Sequence, residues 1–130
     1  MYMHHLWYAA RMNVPRGGQS ILSVVFYSTE AGNEPVREWL LDLSREDRRV
    51  LGRDVKTAQY GWPIGMPLIR KLEPGLWEVR SWVASGIARV LFTVDGDTMV
   101  LLHGFVKKSQ KTPTNDLETA RRRLADLREE

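Results

Sequence analysis

Cysteine is absent from the chain. That excludes a disulfide scaffold and any thiolate chemistry, and makes the cytoplasm the expected compartment. No apolar run approaches the roughly 20 residues that a spanning helix needs. The first twenty residues, MYMHHLWYAARMNVPRGGQS, have no basic stretch followed by a continuous apolar one, so they do not read as a secretory signal. Histidine is scarce. His4 and His5 are adjacent near the terminus and His103 stands alone in an apolar run, a spacing that fits no metal site. His103 reads as a hydrogen-bonded core histidine. The serine elbow of acyl hydrolases, the phosphate loop and the dinucleotide glycine fingerprint are all missing, and so are internal repeats and low-complexity tracts. Neither a metal nor a cofactor is expected.

What is present is a basic excess in one place. The net charge is +3 over 130 residues. The segment from Ile69 to Lys111 holds seven basic residues (Arg70, Lys71, Arg80, Arg89, Lys107, Lys108, Lys111) against four acidic ones (Glu73, Glu78, Asp95, Asp97), and so carries the whole excess. Charge gathered like this is the footprint of a phosphate-binding face. With 43% hydrophobic residues, a chain of this length supports one core and not two. Residues 1–20 read as an extension ending in Pro15-Arg16-Gly17-Gly18, and residues 21–130 as a single domain.

Periodicity orders that domain. Ile21–Ser28 is rich in β-branched and aromatic residues and predicts a strand. Asn33 reads as an N-cap with Pro35 in the first turn, followed by the apolar stripe Val36, Trp39, Leu40, Leu43. Ser44 with Asp47 starts a second helix, striped by Val50, Leu51, Val55 and Ala58 and stopped at Gly61. Tyr60–Pro67 is turn-rich. Three strands follow: Leu76–Val83, Ile87–Val94 and Met99–Val106, the first two joined at Ala84-Ser85-Gly86 and the last two at Asp95-Gly96-Asp97. A terminal helix, capped by Asn115, carries Leu117, Ala120, Arg121, Leu124 and Leu127 on one stripe. The pattern predicts an α+β fold in the order β-α-α-β-β-β-α, an antiparallel sheet with helices packed on one face.

Alternation singles out two arginines. Trp77, Val79, Val90 and Phe92 supply the core, so Arg80 and Arg89 point to the opposite face of adjacent strands, at a register the sequence leaves open. Paired guanidinium groups grip phosphate oxygens bidentately. The competing reading is a solvated sheet face on which Glu78 pairs with one arginine. The run Phe105-Val106-Lys107-Lys108-Ser109-Gln110-Lys111-Thr112-Pro113, leaving the last strand, offers further phosphate and base ligands. Arg70 and Lys71 stand at the entry to the sheet, and Arg122 within Arg121-Arg122-Arg123 extends the basic surface. An enzyme built this way would work by stabilising charge on phosphorus, with the 2′-OH of RNA as the nucleophile.

The blocks L-I-R-K-L-E-P-G-L-W-E-V-R (68–80), A-R-V-L-F-T-V-D-G (88–96) and V-L-L-H-G-F-V-K-K-S-Q-K-T-P (100–113) resemble, in that order and spacing, the HigB-like, phage-derived branch of the RelE/ParE toxins. The resemblance covers roughly residues 22–127. It implies a RelE/ParE-like fold with two N-terminal helices packed on one face of an antiparallel sheet and a C-terminal helix. It also implies a type II toxin–antitoxin module in which a helix-turn-helix, HigA-like antitoxin binds the toxin in a hetero-oligomeric complex. The implied activity is metal-independent cleavage of mRNA in the ribosomal A site, leaving a 2′,3′-cyclic phosphate. By the same resemblance, Arg80 contacts the scissile region, Arg89 stabilises the transition-state phosphate, and Lys107 and Lys108 bind mRNA or assist the leaving group. Lys111, Arg70, Lys71 and Arg122 would be RNA contacts. The tyrosine that some RelE-type enzymes use near the final helix has no counterpart here, since no tyrosine follows Tyr60. Lys108, Lys111 and Glu78 remain as candidate general bases, with pairing to Arg80 the simpler role for Glu78. The alternatives are a ParE-like inhibitor of DNA gyrase and a non-catalytic nucleic-acid-binding module.

Overall fold

A computed structural model gives the fold of residues 21–129. The extension over residues 1–20, with His4 and His5, lies outside the described residues. Strand β1 (Ser23–Phe26) leads into helices α1 (Pro35–Asp42) and α2 (Arg45–Gly61). Strands β2 (Ile69–Glu73), β3 (Leu76–Val83), β4 (Gly86–Asp95) and β5 (Thr98–Lys107) follow, and helix α3 (Thr114–Arg128) ends the chain. The five strands form one sheet in the order β1-β5-β4-β3-β2.

The expected α+β class holds, but the architecture differs from the expectation in three ways. The sheet is mixed, because β1 runs parallel to β5, with Val25 beside Val100. A local turn fixes the direction of each strand in the meander, whereas β1 reaches β5 across two helices and three strands. The sheet also has an additional edge strand, β2, whose residues Arg70 and Lys71 are exposed and which buries only Ile69. Charge on an edge strand discourages unwanted pairing, and it also erases the apolar alternation that would mark a strand. Finally, the helices lie on both faces. Helices α1 and α2 cover one face through Val36, Leu40, Leu51, Val55 and Ala58, packed on Val79, Val90, Phe92 and Leu101. Helix α3 covers the other face through Ala120 and Leu124, packed on Leu76, Leu91, Val100, Leu102 and Phe105.

Local chemistry explains the boundaries. Ser44 caps α2 as expected, its Oγ accepting from the Asp47 N–H at 3.1 Å. Asp47 in turn accepts from Ser85 Oγ at 3.0 Å, tying the β3–β4 turn to the start of α2. Two caps are displaced by one and two residues: α1 is preceded by Glu34 and not Asn33, and α3 by Pro113 and not Asn115. Pro35 and Pro113 set the φ of a helix start without needing an N–H there.

A register shift decides which way the middle of β5 faces. Leu91 pairs with His103 and the next residue, Phe92, with Leu101, so Leu102 is an extra residue on β5. Leu102 and Phe105 both face α3. Gly104 faces α1 and lies against Trp39, so closely that an added Cβ would stand 2.3 Å from a ring carbon.

Candidate nucleic-acid interface

The register of β3 and β4 places Arg80 directly opposite Arg89, and β5 adds Phe105 to the same row. Arg89 lies over the Phe105 ring, 5.6 Å from its centroid. Helix α3 covers the part of this face nearer Leu91 and Leu102. Beyond it, residues 108–113 cross the two arginines on their way from β5 to α3.

This face is not the solvated surface of the competing reading. Arg89 is 0% exposed, Arg80 5% and Glu78 0%. Arg89 donates to the carbonyl of Lys111 at 2.9 Å and to that of Ser109. Arg80 donates to Gln110 Oε1 at 2.5 Å. Glu78 Oε1 sits 3.6 Å from Arg80 Nε, the expected ion pair, and Glu78 Oε2 accepts from Thr112 Oγ1 at 2.9 Å. Loss of hydration pushes the Arg89 guanidinium below its ordinary value, while Glu78 acts to hold it up and Arg80 and Arg70 add to the depression. A buried charge needs partners, and here the connecting segment supplies them. Two buried arginines therefore fix the backbone of the segment that carries the lysines.

Lys107, Lys108 and Lys111 are exposed. None of the three pairs with a carboxylate among the described residues. Arg70, across from Glu78 on β2, is exposed and close enough for Arg89 to feel its charge. The lysines lie beyond the Arg80–Arg89 row on the side of Trp82 and Ile87, and Arg70 flanks that row on the side of Glu78 and Leu91. The other two basic candidates stand elsewhere. Lys71, adjacent to Arg70 on a strand, turns to the opposite face and sits over Trp77, 5.9 Å from the ring centroid. Arg122 is exposed on α3, and its charge is felt at Tyr27 and His103 rather than at the arginine pair.

Tyr27 and His103 belong to a second polar cluster, between α3 and strands β1 and β5. Tyr27 donates to Asp126 Oδ2 at 2.8 Å, and burial with that hydrogen bond pushes its phenol up to about 12. Arg123 donates to the Leu102 carbonyl at 2.7 Å. His103 Nε2 lies 2.7 Å from Asp116 Oδ1, and Nδ1 lies 3.4 Å from Arg123 NH1. Burial pushes the imidazole below its ordinary value, against the opposing pull of Asp116. His103 is the hydrogen-bonded core histidine that its apolar surroundings predict. Its partner in the first turn of α3 was not legible, because the pairing depends on the extra residue in β5. No group of acidic and histidine side chains among the described residues could hold a metal ion, and no helix among them is long and apolar enough to cross a membrane.

A family model described as "Phage derived protein Gp49-like (DUF891)" matches residues 38–125, more than half of the chain. The chain belongs to this Gp49-like family. The matched stretch holds every residue of the arginine–lysine face. A comparison with curated protein sequences gives no match. Membership in a phage-derived, Gp49-like family is compatible with a toxin of a toxin–antitoxin module. For this Gp49-like chain, that membership and the basic face within the matched stretch are the two leads to function.

Sequence reasoning took Gln110 and Thr112 for phosphate or base ligands, whereas they partner the buried Arg80 and Glu78, and it gave no role to Trp82. Alternation carried the signal for Trp82, since it shares the parity of Arg80.

Proposed function

We propose that this Gp49-like chain is the toxin of a type II toxin–antitoxin module and acts as a ribosome-dependent mRNA endonuclease. The observation that supports this best is the buried pair Arg80 and Arg89 beneath residues 108–113, with Lys108 and Lys111 of that segment and Lys107 at the end of β5 exposed to solvent. In the proposed reaction, the 2′-OH of one nucleotide attacks the adjacent phosphorus and gives up its proton. The bond to the 5′ oxygen breaks, that oxygen takes a proton, and a 2′,3′-cyclic phosphate remains. Fixed cations suit this step, because they are already oriented when negative charge builds on the phosphoryl oxygens. The lysines neutralise that charge at the surface, and the arginines hold them in place. No metal enters the scheme. A helix-turn-helix antitoxin of the HigA-like kind would silence the toxin by covering the lysine segment.

The test is primer extension on cellular mRNA after brief induction of the full chain, beside Lys107→Ala/Lys108→Ala and Lys111→Ala. All three side chains are exposed, so the variants should fold. New 5′ ends inside translated codons, absent from untranslated RNA and lost in the variants, are expected. Arrested growth with no new ends but an induced DNA damage response would overturn the ribonuclease reading and favour gyrase inhibition.

A further inference from the structure

Trp82 is 53% exposed, the most exposed tryptophan among the described residues. A single exposed apolar side chain needs no explanation in itself; what distinguishes Trp82 is its position. Trp82 pairs across β3 and β4 with Ile87, and Ile87 pairs across β4 and β5 with Lys107. By strand parity, Trp82, Ile87 and Lys107 form the row next to Arg80, Arg89 and Phe105. Two strand spacings put the Trp82 and Lys107 backbones roughly 10 Å apart. The ring is also held: the Arg80 guanidinium lies over it, 5.6 Å from the centroid, and Gln110 and Glu78 hold Arg80 in turn. One side of the indole thus rests on a fixed cation, and the exposed remainder of the ring shares its row with the unpaired Lys107, with β4 between them.

We propose that Trp82 is a stacking platform for one unpaired base of a single-stranded RNA whose flanking phosphates lie on Lys107 and Lys108. Single strands are bound by this combination of an aromatic ring and a cationic track, because every base has a π-face and every linkage a charge. A ring already fixed by Arg80 loses little freedom when a base lands on it. A protein partner would also accept an exposed tryptophan, but the surrounding charge is positive and unpaired, which favours a polyanion. The inference deepens the RNA-cleaving reading by naming where the substrate base sits, and rests on it for the choice of RNA.

The test uses the full chain and a short single-stranded oligoribonucleotide carrying 2-aminopurine, whose fluorescence falls on stacking. Binding is measured for the wild type, Trp82→Phe, Trp82→Ala and Lys107→Ala/Lys108→Ala at several salt concentrations, without ribosomes. The wild type should quench the probe. Trp82→Ala should abolish quenching and raise Kd about tenfold, with Trp82→Phe close to wild type. The salt dependence of Kd should be unchanged in Trp82→Ala and shallower in the lysine pair, because only the lysines release counterions from phosphates. A wild type that binds no oligoribonucleotide, or a Trp82→Ala variant that binds and quenches like the wild type, would overturn the proposal. In the second case, weakened capture of a protein partner by Trp82→Ala would assign the ring to a protein interface. Because the assay contains no ribosome, quenching that depends on Trp82 would stand even if no cleaved mRNA were found in cells.

Discussion

Replacing Arg89 with methionine asks what a fully buried guanidinium does in this fold, because two effects of opposite sign meet there. Arg89 donates to the carbonyls of Ser109 and Lys111. Hydrogen bonds from a charged donor contribute about 1.5–3 kcal/mol each. Ser109 and Lys111 are exposed and their carbonyls can turn to water, so the lower figure applies and the two together contribute about 3 kcal/mol. Against this, methionine fills much of the same volume, needs no desolvation and removes the repulsion from Arg80 directly opposite. The desolvation that Arg89 no longer needs offsets part of the loss, about 1–2 kcal/mol, because Glu78 keeps Arg80 as its ion-pair partner and is not left as an uncompensated buried charge. The hydrogen bonds win, and Arg89→Met should be less stable by about 1–2 kcal/mol, a fall in melting temperature of about 5 °C for a chain of this size. The loss should be local in origin. Amides of residues 108–113 should exchange faster in the variant, while those of β4 and β5 keep their protection. Arg89→Lys, which keeps the charge but has one nitrogen for two carbonyls, should fall between the two. A rise in melting temperature for Arg89→Met, with unchanged exchange over 108–113, would refute the argument that Arg89 anchors the lysine segment.

Two further outcomes test the rest of the fold. Burial pushes His103 below its ordinary value, so the folded chain takes up this proton at lower pH than the unfolded chain, which does so near 6.5. Stability from this site is therefore present above about pH 6.5 and is lost as the pH falls below it, and His103→Gln should flatten the dependence of the urea midpoint on pH in that window. Gly104→Ala should cost about 1–3 kcal/mol by driving a methyl group into the Trp39 ring. Most of that should return in Trp39→Leu/Gly104→Ala, with the denaturant slope unchanged throughout; equal midpoints for the single variant and the wild type would show that the ring is free to move.

The parts of the fold that local pattern controls were legible, and the parts that distance controls were not. The β3, β4 and β5 meander follows from alternation and from turns at Gly86 and Gly96, both of which have positive φ. Helix α2 follows from its cap and its stripe. The direction of β1 depends on a partner more than seventy residues away, and no neighbouring residue encodes it. Strand β2 exists because β3 offers it an edge, and its own sequence, IRKLE, carries no alternation to announce that. The face chosen by α3 was readable in principle. Leu76, Leu91, Val100 and Leu102 form a second apolar surface, and a sheet with apolar residues on both faces needs cover on both.

The site was legible as a set of charges but not as an arrangement. Parity placed Arg80 and Arg89 together, and the structure makes them direct neighbours. What parity cannot convey is depth. An arginine on the second face of a sheet is open to solvent or buried according to whether something crosses it, and here residues 108–113 do. That crossing divides the work among the cations. Arg89 through both Nη atoms and Arg80 through Nη2 donate to residues 109–111, while both Nε atoms are buried without a hydrogen-bond partner, so under the proposed function a phosphate reaches the arginines by displacing this segment or meets the lysines at the surface. Lys107, Lys108, Lys111 and Arg70 need no such displacement. Arg80 joins the two layers, because the same guanidinium that binds Gln110 lies over Trp82. A change at Arg80 should therefore disturb both the lysine segment and the exposed ring, whereas a change at Trp82 should leave the segment as it is. That asymmetry separates the residues that position from the residues that, under the proposed function, touch RNA.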